Sequence, residues 1–381
     1  MLSRKTISAF FSSCFWGDSH GVGPAARFLL RVFFVALLLG AGSRGFAGGK
    51  PQENRRQKDV TTLPIPEQAA PERPTAGQGA PEGPVPEQGA PVGPGAGQGG
   101  PERAGQGEQP GQQAGRGEEV MKALAEAYPE RLGEASFRDG DWTVELDGVR
   151  FYYAQGRLLP EDLRETAAEY DPQPFYPYQA ELPSWRDPGP EEEERFTDSA
   201  RRRRTNPPKR SQHFYDALWR AHTREEAYDR VKTIRFLGRS VLVHYMILEE
   251  LVLAEERILE EARTDPQVRN WIDSLETLSG WNWRSIAETQ SRSFHAYGAA
   301  IDLLPAARRG LETYWLWTAE NNPRWWAVPY DKRLHPPDKV IKAFESCGFI
   351  WGGKWLFFDT MHFEYRPEIL ILNNLNNRQI R

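Results

Sequence analysis

Two short segments near the end of the chain hold side chains that could bind a metal ion. His295 and Asp302 lie seven positions apart in the first segment, and Asp359 and His362 lie three positions apart in the second. Two histidines and one carboxylate form a common catalytic zinc set, which leaves a fourth position for water. Asp359 could take a proton from that water without binding the metal itself. Spacing alone also allows unrelated surface residues and a simple turn.

The elements expected to position these side chains belong to an α+β fold. Short apolar and aromatic runs predict strands over residues 299–304 and 357–365, with a helix over 336–347 between them. Earlier in the chain, apolar residues at spacings of three and four predict a helix over 241–262, and Pro266 begins another one. Helices first and strands later predict a helical N-terminal part packed on a small antiparallel sheet that carries the metal site.

Two local patterns precede these helices. Asp147-Gly148 lies between two apolar runs, which predicts a β-hairpin. Residues 191–194 are glutamates and residues 201–204 are arginines. The arginines could contact a nucleic acid or another anionic polymer, but the neighbouring glutamates favour an exposed loop.

The first 118 residues differ in composition from the rest of the chain. Residues 1–47 contain an apolar run preceded by arginines and followed by small residues, which predicts an export signal peptide or, if it is not cleaved, an N-terminal membrane anchor. Residues 48–118 are rich in Pro, Gly and Gln, lack aromatic side chains and contain a decapeptide repeat, so we predict a disordered linker. Residues 119–381 hold 12 of the 13 tryptophans and are predicted to form one domain.

Charge and cysteine content exclude some classes of protein. Of the 48 Lys and Arg and the 53 Asp and Glu, 36 and 43 follow residue 118, so the folded part carries a net charge of −7. A domain of that sign lacks the basic surface of a general nucleic-acid-binding protein. Only Cys347 follows the predicted signal peptide, which contains Cys14. A cysteine zinc cluster and an intramolecular disulfide in the exported protein are therefore excluded.

At the histidine-bearing segments the sequence resembles a known family. It is similar to the zinc D-Ala-D-Ala carboxypeptidases and dipeptidases of the VanX/VanY type and to the L-alanyl-D-glutamate endopeptidases that share their motifs. The resemblance covers about residues 280–368 and consists of the pattern SxHxxGxAxD followed by D/E-x-x-H. Its fixed positions are filled by Ser293, His295, Gly298, Ala300, Asp302, Asp359 and His362.

This resemblance implies a role for each matched polar residue. His295, Asp302 and His362 would bind one Zn²⁺ ion. Asp359 would act as the general base and later protonate the leaving amine. An upstream arginine would stabilise the developing oxyanion; Arg284 is the first candidate for it and Arg292 the second.

Three further residues are expected near the site. Ser293 would form a hydrogen bond there, or contact the substrate, rather than act as a nucleophile, because His295 would be occupied by the metal. Glu364 is either a residue that orients a ligand or an ordinary strand residue. Trp351 and Trp355 are expected at the cleft wall, because the two glycines between them let the backbone approach closely.

The sequence thus favours an exported zinc peptidase that cleaves peptidoglycan stem peptides in the periplasm or cell envelope. The bond could be the terminal D-Ala-D-Ala link or the internal L-Ala to D-Glu link. One alternative is a non-catalytic envelope-binding protein that keeps the zinc site as structure. Another is a hydrolase of a different amide-bearing substrate. The presence of Asp359 favours the peptidase, because a binding protein has no chemical need for a base there.

Overall fold

The computed structural model describes residues 110–182, 184–308 and 310–375. The expected export signal or anchor (1–47) and most of the expected linker (48–118) lie outside these residues. The first described helix, α1, spans Pro110–Ala127. It therefore overlaps the end of the range that we expected to be linker, and regular structure begins before residue 119.

The described part confirms an α+β fold in which all strand pairs are antiparallel. The first sheet has the order β1-β2-β3-β4, and a two-stranded hairpin, β5-β6, follows it. The third sheet has the order β7-β8-β10-β9. The strands are β1 (Ser136–Arg138), β2 (Asp141–Leu146), β3 (Val149–Tyr152), β4 (Leu159–Pro160), β5 (Val231–Phe236), β6 (Arg239–His244), β7 (Leu275–Ser279), β8 (Ala300–Pro305), β9 (Phe349–Trp351) and β10 (His362–Tyr365).

Helices occur before, between and after these sheets. They are α1, α2 (Pro190–Thr205), α3 (His213–Leu218), α4 (Arg224–Arg230), α5 (Leu248–Thr264), α6 (Pro266–Ser274), α7 (Phe294–Tyr297), α8 (Trp315–Ala319), α9 (Asp338–Glu345) and α10 (Pro367–Leu372). None of the helices in the described part combines the length and apolarity that crossing a bilayer requires. The N-terminal part that we expected to be helical also contains strands, since the first sheet and the β5-β6 hairpin lie before residue 280.

One apolar core joins the beginning and the end of the described chain. Val120 and Leu124 of α1, Phe344 of α9 and Phe363 of β10 are all fully buried in it. The β2-β3 hairpin turns at Asp147-Gly148 as expected, with φ angles of 51° and 82°. Positive φ at both central residues is the geometry of the tight turns that match the strand twist.

The charge runs of residues 191–204 form helix α2, so our expectation of an exposed loop was wrong. Three glutamates lie in the first turn and three arginines in the last turn. Negative charge at the N-terminus and positive charge at the C-terminus both stabilise the helix dipole. Pro190 stands in the first turn, where its missing N–H costs nothing. The separation of the two charge runs was a helix signal.

The helix predicted over 241–262 was correct only in its second part. Val241 and Val243 belong to β6, where they pair with Ile234 and Lys232 of β5. A 3₁₀ turn follows before α5 begins at Leu248. The helical spacing of apolar residues in α5 happens to extend to Val243, which lies in β6. The hairpin partner, which is a tertiary contact, decides where the strand ends.

Gly298 occupies a position that other residues would strain. It ends α7 in the left-handed region, with φ at 71°. A Cβ there would lie 2.8 Å from the backbone nitrogen of His244. The main chain between His295 and Asp302 therefore reverses against β6 at a place with no room for a side chain.

We expect Gly298→Ala to lower the free energy of unfolding more than Gly140→Ala. Gly140 has a similar φ of 81°, but a Cβ there meets no atom within 4 Å. Both variants carry about 1–2 kcal/mol of backbone strain, and overpacking adds roughly 1–3 kcal/mol at Gly298 alone. Urea unfolding measures both changes. Equal losses would show that the contact with His244 does not constrain this turn.

Candidate metal centre

Three side-chain atoms from different elements converge on one point. Asp302 of β8 and His362 of β10 are directly paired across the sheet, so they point to the same face. Nδ1 of His362 lies 3.0 Å from Oδ1 of Asp302. Nε2 of His295 lies 3.1 Å from each of these two atoms. Zinc bonds of about 2.0–2.1 Å in a tetrahedron separate the ligand atoms by about 3.3 Å, so the triangle is close to the size that zinc requires.

His295 is held in place by its own short helix and by a backbone carbonyl. Its Nδ1–H donates to the carbonyl oxygen of Gly280 at 2.6 Å, which leaves Nε2 facing the cluster. This arrangement selects the tautomer that binds a metal. The hydroxyl of Ser293 accepts a hydrogen bond from the backbone N–H of His295 and caps α7. Ser293 therefore positions the segment that carries His295.

His362 is oriented by a carboxylate on the same strand. Its Nε2–H donates to Oε2 of Glu364 at 3.1 Å, so Nδ1 faces Asp302. Glu364 lies two residues further along β10 and therefore on the same face as His362. Both side chains are at least nine-tenths buried. Of the two roles considered for Glu364, a residue that orients a ligand and an ordinary strand residue, this geometry matches the first.

A chain of buried polar groups extends from Glu364 to Tyr128, the residue that directly follows α1. Oε1 of Glu364 accepts a hydrogen bond from Arg366 at 3.3 Å, and Arg366 also pairs with Glu368. Glu368 is 0% exposed and accepts a hydrogen bond from the hydroxyl of Tyr128 at 2.9 Å. Sequence reasoning missed Arg366 and Glu368, although a charged side chain at every second position of an apolar segment was a visible signal.

The buried charges around the cluster leave an excess of negative charge. Glu364 and Glu368 pair with the buried guanidinium of Arg366, whereas Asp302 contacts His295 and His362. Burial opposes ionisation of Asp302, but His295 and His362 hold its pKa well below its usual range. With both imidazoles neutral, as metal binding requires, Asp302, Glu364 and Glu368 against Arg366 leave two formal negative charges, which a divalent cation would balance. The donor set of two nitrogens and one oxygen suits zinc.

Asp359 lies beside this cluster with one carboxylate oxygen unpaired. Its backbone N–H donates to the carbonyl oxygen of Gly352, and its segment pairs with Tyr314. Oδ1 of Asp359 is buried and has no hydrogen-bond partner among the described residues. Burial, and after it the charge of Asp302, raises the pKa of Asp359 to about 7. An unpaired buried carboxylate oxygen is costly unless a ligand or water completes it, so Asp359 is available to hold a proton at this site.

The two arginines proposed for the oxyanion have different environments. Arg284 is exposed, and its charge acts to lower the pKa of Asp359 and of Tyr314, which places it near the cluster. Arg292 pairs with Asp216 at 2.5 Å and stacks over Trp283 at 4.2 Å. Because Arg292 is held by its ion pair with Asp216 and by the Trp283 ring, Arg284 remains the candidate for stabilising the oxyanion.

Trp351, which we expected at the cleft wall, packs under the segment that contains Asp359 and Thr360. It is 1% exposed, and its Nε1–H donates to the carbonyl oxygen of Thr360 at 2.9 Å. A side chain at Gly353 would overlap its ring. Trp351 thus holds the main chain at Thr360, the residue next to Asp359, by this hydrogen bond. Trp355 is the half-buried tryptophan at the cluster, with its ring centroid 5.4 Å from that of His362.

Comparison with known proteins agrees with this site. Residues 287–365 match a family described as D-alanyl-D-alanine carboxypeptidase. Residues 120–175 match a family described only as a domain of unknown function. No curated protein and no solved structure matches the chain. The first match contains the three clustered residues and Asp359, and it begins after Arg284. It supports a peptidase, that is, a hydrolase of peptide bonds.

We expect Glu364→Gln to weaken zinc binding, because the amide is neutral and a weaker acceptor for the imidazole N–H of His362. Loss of such an orienting partner typically lowers metal affinity about 10- to 100-fold. Competition with a chromogenic chelator measures the dissociation constant of zinc. The matched control is Glu260→Gln on the exposed surface of α5. An unchanged dissociation constant in Glu364→Gln would show that Glu364 does not orient His362.

Proposed function

We propose that this protein is an exported zinc peptidase that cleaves the stem peptides of peptidoglycan. The observation that carries the proposal is the buried, unpaired carboxylate oxygen of Asp359 next to the converging His295, Asp302 and His362 atoms. A purely structural zinc site is closed by four protein ligands, whereas a catalytic site keeps a position open and needs a base. Three ligand groups and one carboxylate with an unpaired oxygen fit the catalytic case.

The chain's own residues have separable tasks in this proposal. His295, Asp302 and His362 hold the ion, and Glu364 and the carbonyl of Gly280 orient the two imidazoles. Zinc, when bound, lowers the pKa of a coordinated water to about 7 and polarises the scissile carbonyl. Asp359 takes the proton of the attacking water and returns it to the leaving amine. Burial and the charge of Asp302 raise the pKa of Asp359 to about 7, against the lowering charges of His362 and Arg284. A bound divalent cation would lower this pKa and so would favour the base form at neutral pH.

Arg284 is proposed to stabilise the negative charge that develops on the carbonyl oxygen. Its guanidinium stays protonated and offers several donors. Its exposed position in the segment that also carries Trp283 leaves it accessible to a substrate. The hairpin around it is closed by backbone pairing of Ser285 with Arg292.

The substrate and location rest on two supports of different kinds. The family match over residues 287–365 supports D-Ala-containing peptides such as those of peptidoglycan. The composition of residues 1–118 supports export followed by a spacer, which would let the domain reach a polymer outside the cytoplasm. An N-terminal membrane tether is the alternative to cleavage of the signal.

The test is digestion of purified peptidoglycan, followed by mass spectrometry of the released fragments. We expect the zinc-loaded protein to release amino acids or peptides, and Asp359→Asn to lower the rate by about 10²-fold or more while it retains its zinc. Asp229→Asn, on the exposed surface of α4, is the control and should act as the wild type does.

Three outcomes would contradict the proposal in whole or in part. If Asp359→Asn and the wild type release the same fragments at the same rate, Asp359 is not the base. If the wild type binds one zinc ion and peptidoglycan but releases nothing, the non-catalytic envelope-binding function is correct. Cleavage of other amides without cleavage of peptidoglycan would retain the hydrolase and replace the substrate.

A further inference from the structure

A large cavity lies apart from the metal cluster. Its volume is about 790 Å³, which is within the range of small-molecule sites. Its walls come from α6, the segment 330–337, α9 and the stretch around Lys354. His295, Asp302, His362 and Asp359 do not line it. The cavity therefore has no part in the chemistry proposed above.

One wall of this cavity carries a buried guanidinium without a counter-charge. Arg333 is 8% exposed, and its N–H groups donate to the carbonyl oxygens of Val328 at 3.0 Å and Trp326 at 3.4 Å. Its guanidinium carbon lies 4.2 Å from the ring centroid of Phe358. No carboxylate of the described residues forms an ion pair with it, in contrast to Arg366, which is also buried but pairs with two glutamates.

The other basic side chains around the cavity are paired. Lys354 pairs with Glu345 at 2.5 Å, and Lys342 pairs with Glu181 at 2.8 Å. The two remaining acids of the lining, Asp331 and Asp338, are exposed at its rim. Among the described residues of the lining, Arg333 is thus the one guanidinium or ammonium without an ion pair.

This positive charge persists at neutral pH. Burial lowers the pKa of Arg333 to about 10, against the raising effect of Tyr330. A buried cation is costly unless an anion pairs with it. The cavity offers the space for such an anion, and its wall also contains apolar surface from Trp271, Leu311 and Pro336.

We propose that this cavity binds an organic carboxylate whose charged group pairs with Arg333 and whose apolar body lies against Trp271 and Leu311. The planar fork of a guanidinium matches a carboxylate or a phosphate. The exposed acids at the rim, Asp331 and Asp338, disfavour a ligand with nearly two negative charges, such as phosphate at pH 7, and so favour a monoanion. This site does not depend on the peptidase assignment.

The experiment measures binding directly, because Arg333 packs on Phe358 beside Asp359 and its variants could change activity for another reason. The full chain is titrated against 4-fluorobenzoate and its neutral analogue 4-fluorobenzamide, observed by ¹⁹F NMR, with zinc bound in every variant that retains the three zinc ligands. The variants are Arg333→Lys, Gln267→Trp, which would fill the cavity from its exposed rim, and His295→Ala at the metal cluster. Lys232→Met, an exposed cation of β5, is the control.

We expect the acid to bind at least about tenfold more tightly than the amide, as a charge-assisted contact requires. Arg333→Lys and Gln267→Trp should each weaken it about tenfold, whereas Lys232→Met and His295→Ala should not. Equal binding of acid and amide would overturn the proposal, as would full binding in Gln267→Trp or loss of binding in His295→Ala. Displacement of the acid by equimolar inorganic phosphate would replace the carboxylate by a phosphate ligand. Gln267→Trp keeps the test valid if Arg333→Lys does not fold.

Discussion

The antiparallel pairing of β8 with β10 places Asp302 directly opposite His362, and the metal cluster depends on this register. A shift by one residue would turn one of the two side chains to the other face of the sheet. His295 then has to arrive from outside the sheet, through the α7 turn that ends at Gly298. The chain between His295 and β8 therefore turns at Gly298, a residue that tolerates a positive φ.

Buried charge links this register to distant parts of the chain. Glu364 orients His362, Arg366 pairs with Glu364 and Glu368, and Glu368 accepts a hydrogen bond from Tyr128. Tyr128 directly follows α1 and lies in the region that matches a domain of unknown function. The N-terminal part of the described chain thus completes a polar network that reaches a candidate metal ligand, since a buried charge is stable only when its partners are present.

The two buried arginines, Arg366 and Arg333, differ in whether a carboxylate pairs with them. This difference separates an arginine that stabilises the fold from one that could bind a ligand. Arg366 has two glutamate partners, which hold its pKa well above the usual value despite burial. Arg333 has only backbone carbonyls and aromatic rings, and it faces a cavity. A guanidinium with complete partners stabilises the fold, whereas one that faces open space with its charge uncompensated can recognise an anion.

The sequence by itself determined the residue types and spacing of the cluster, the α+β class and the Asp147-Gly148 turn, because these depend on local pattern and motif. It misassigned α2, whose charge runs suit a helix dipole, and the start of α5, where a hairpin partner overrides helical spacing. Tertiary structure alone decided that Arg292 pairs with Asp216, that Trp351 is buried and that Glu368 meets Tyr128. Each of these depends on contacts between residues far apart in the chain, and burial and charge pairing become known only when those residues meet.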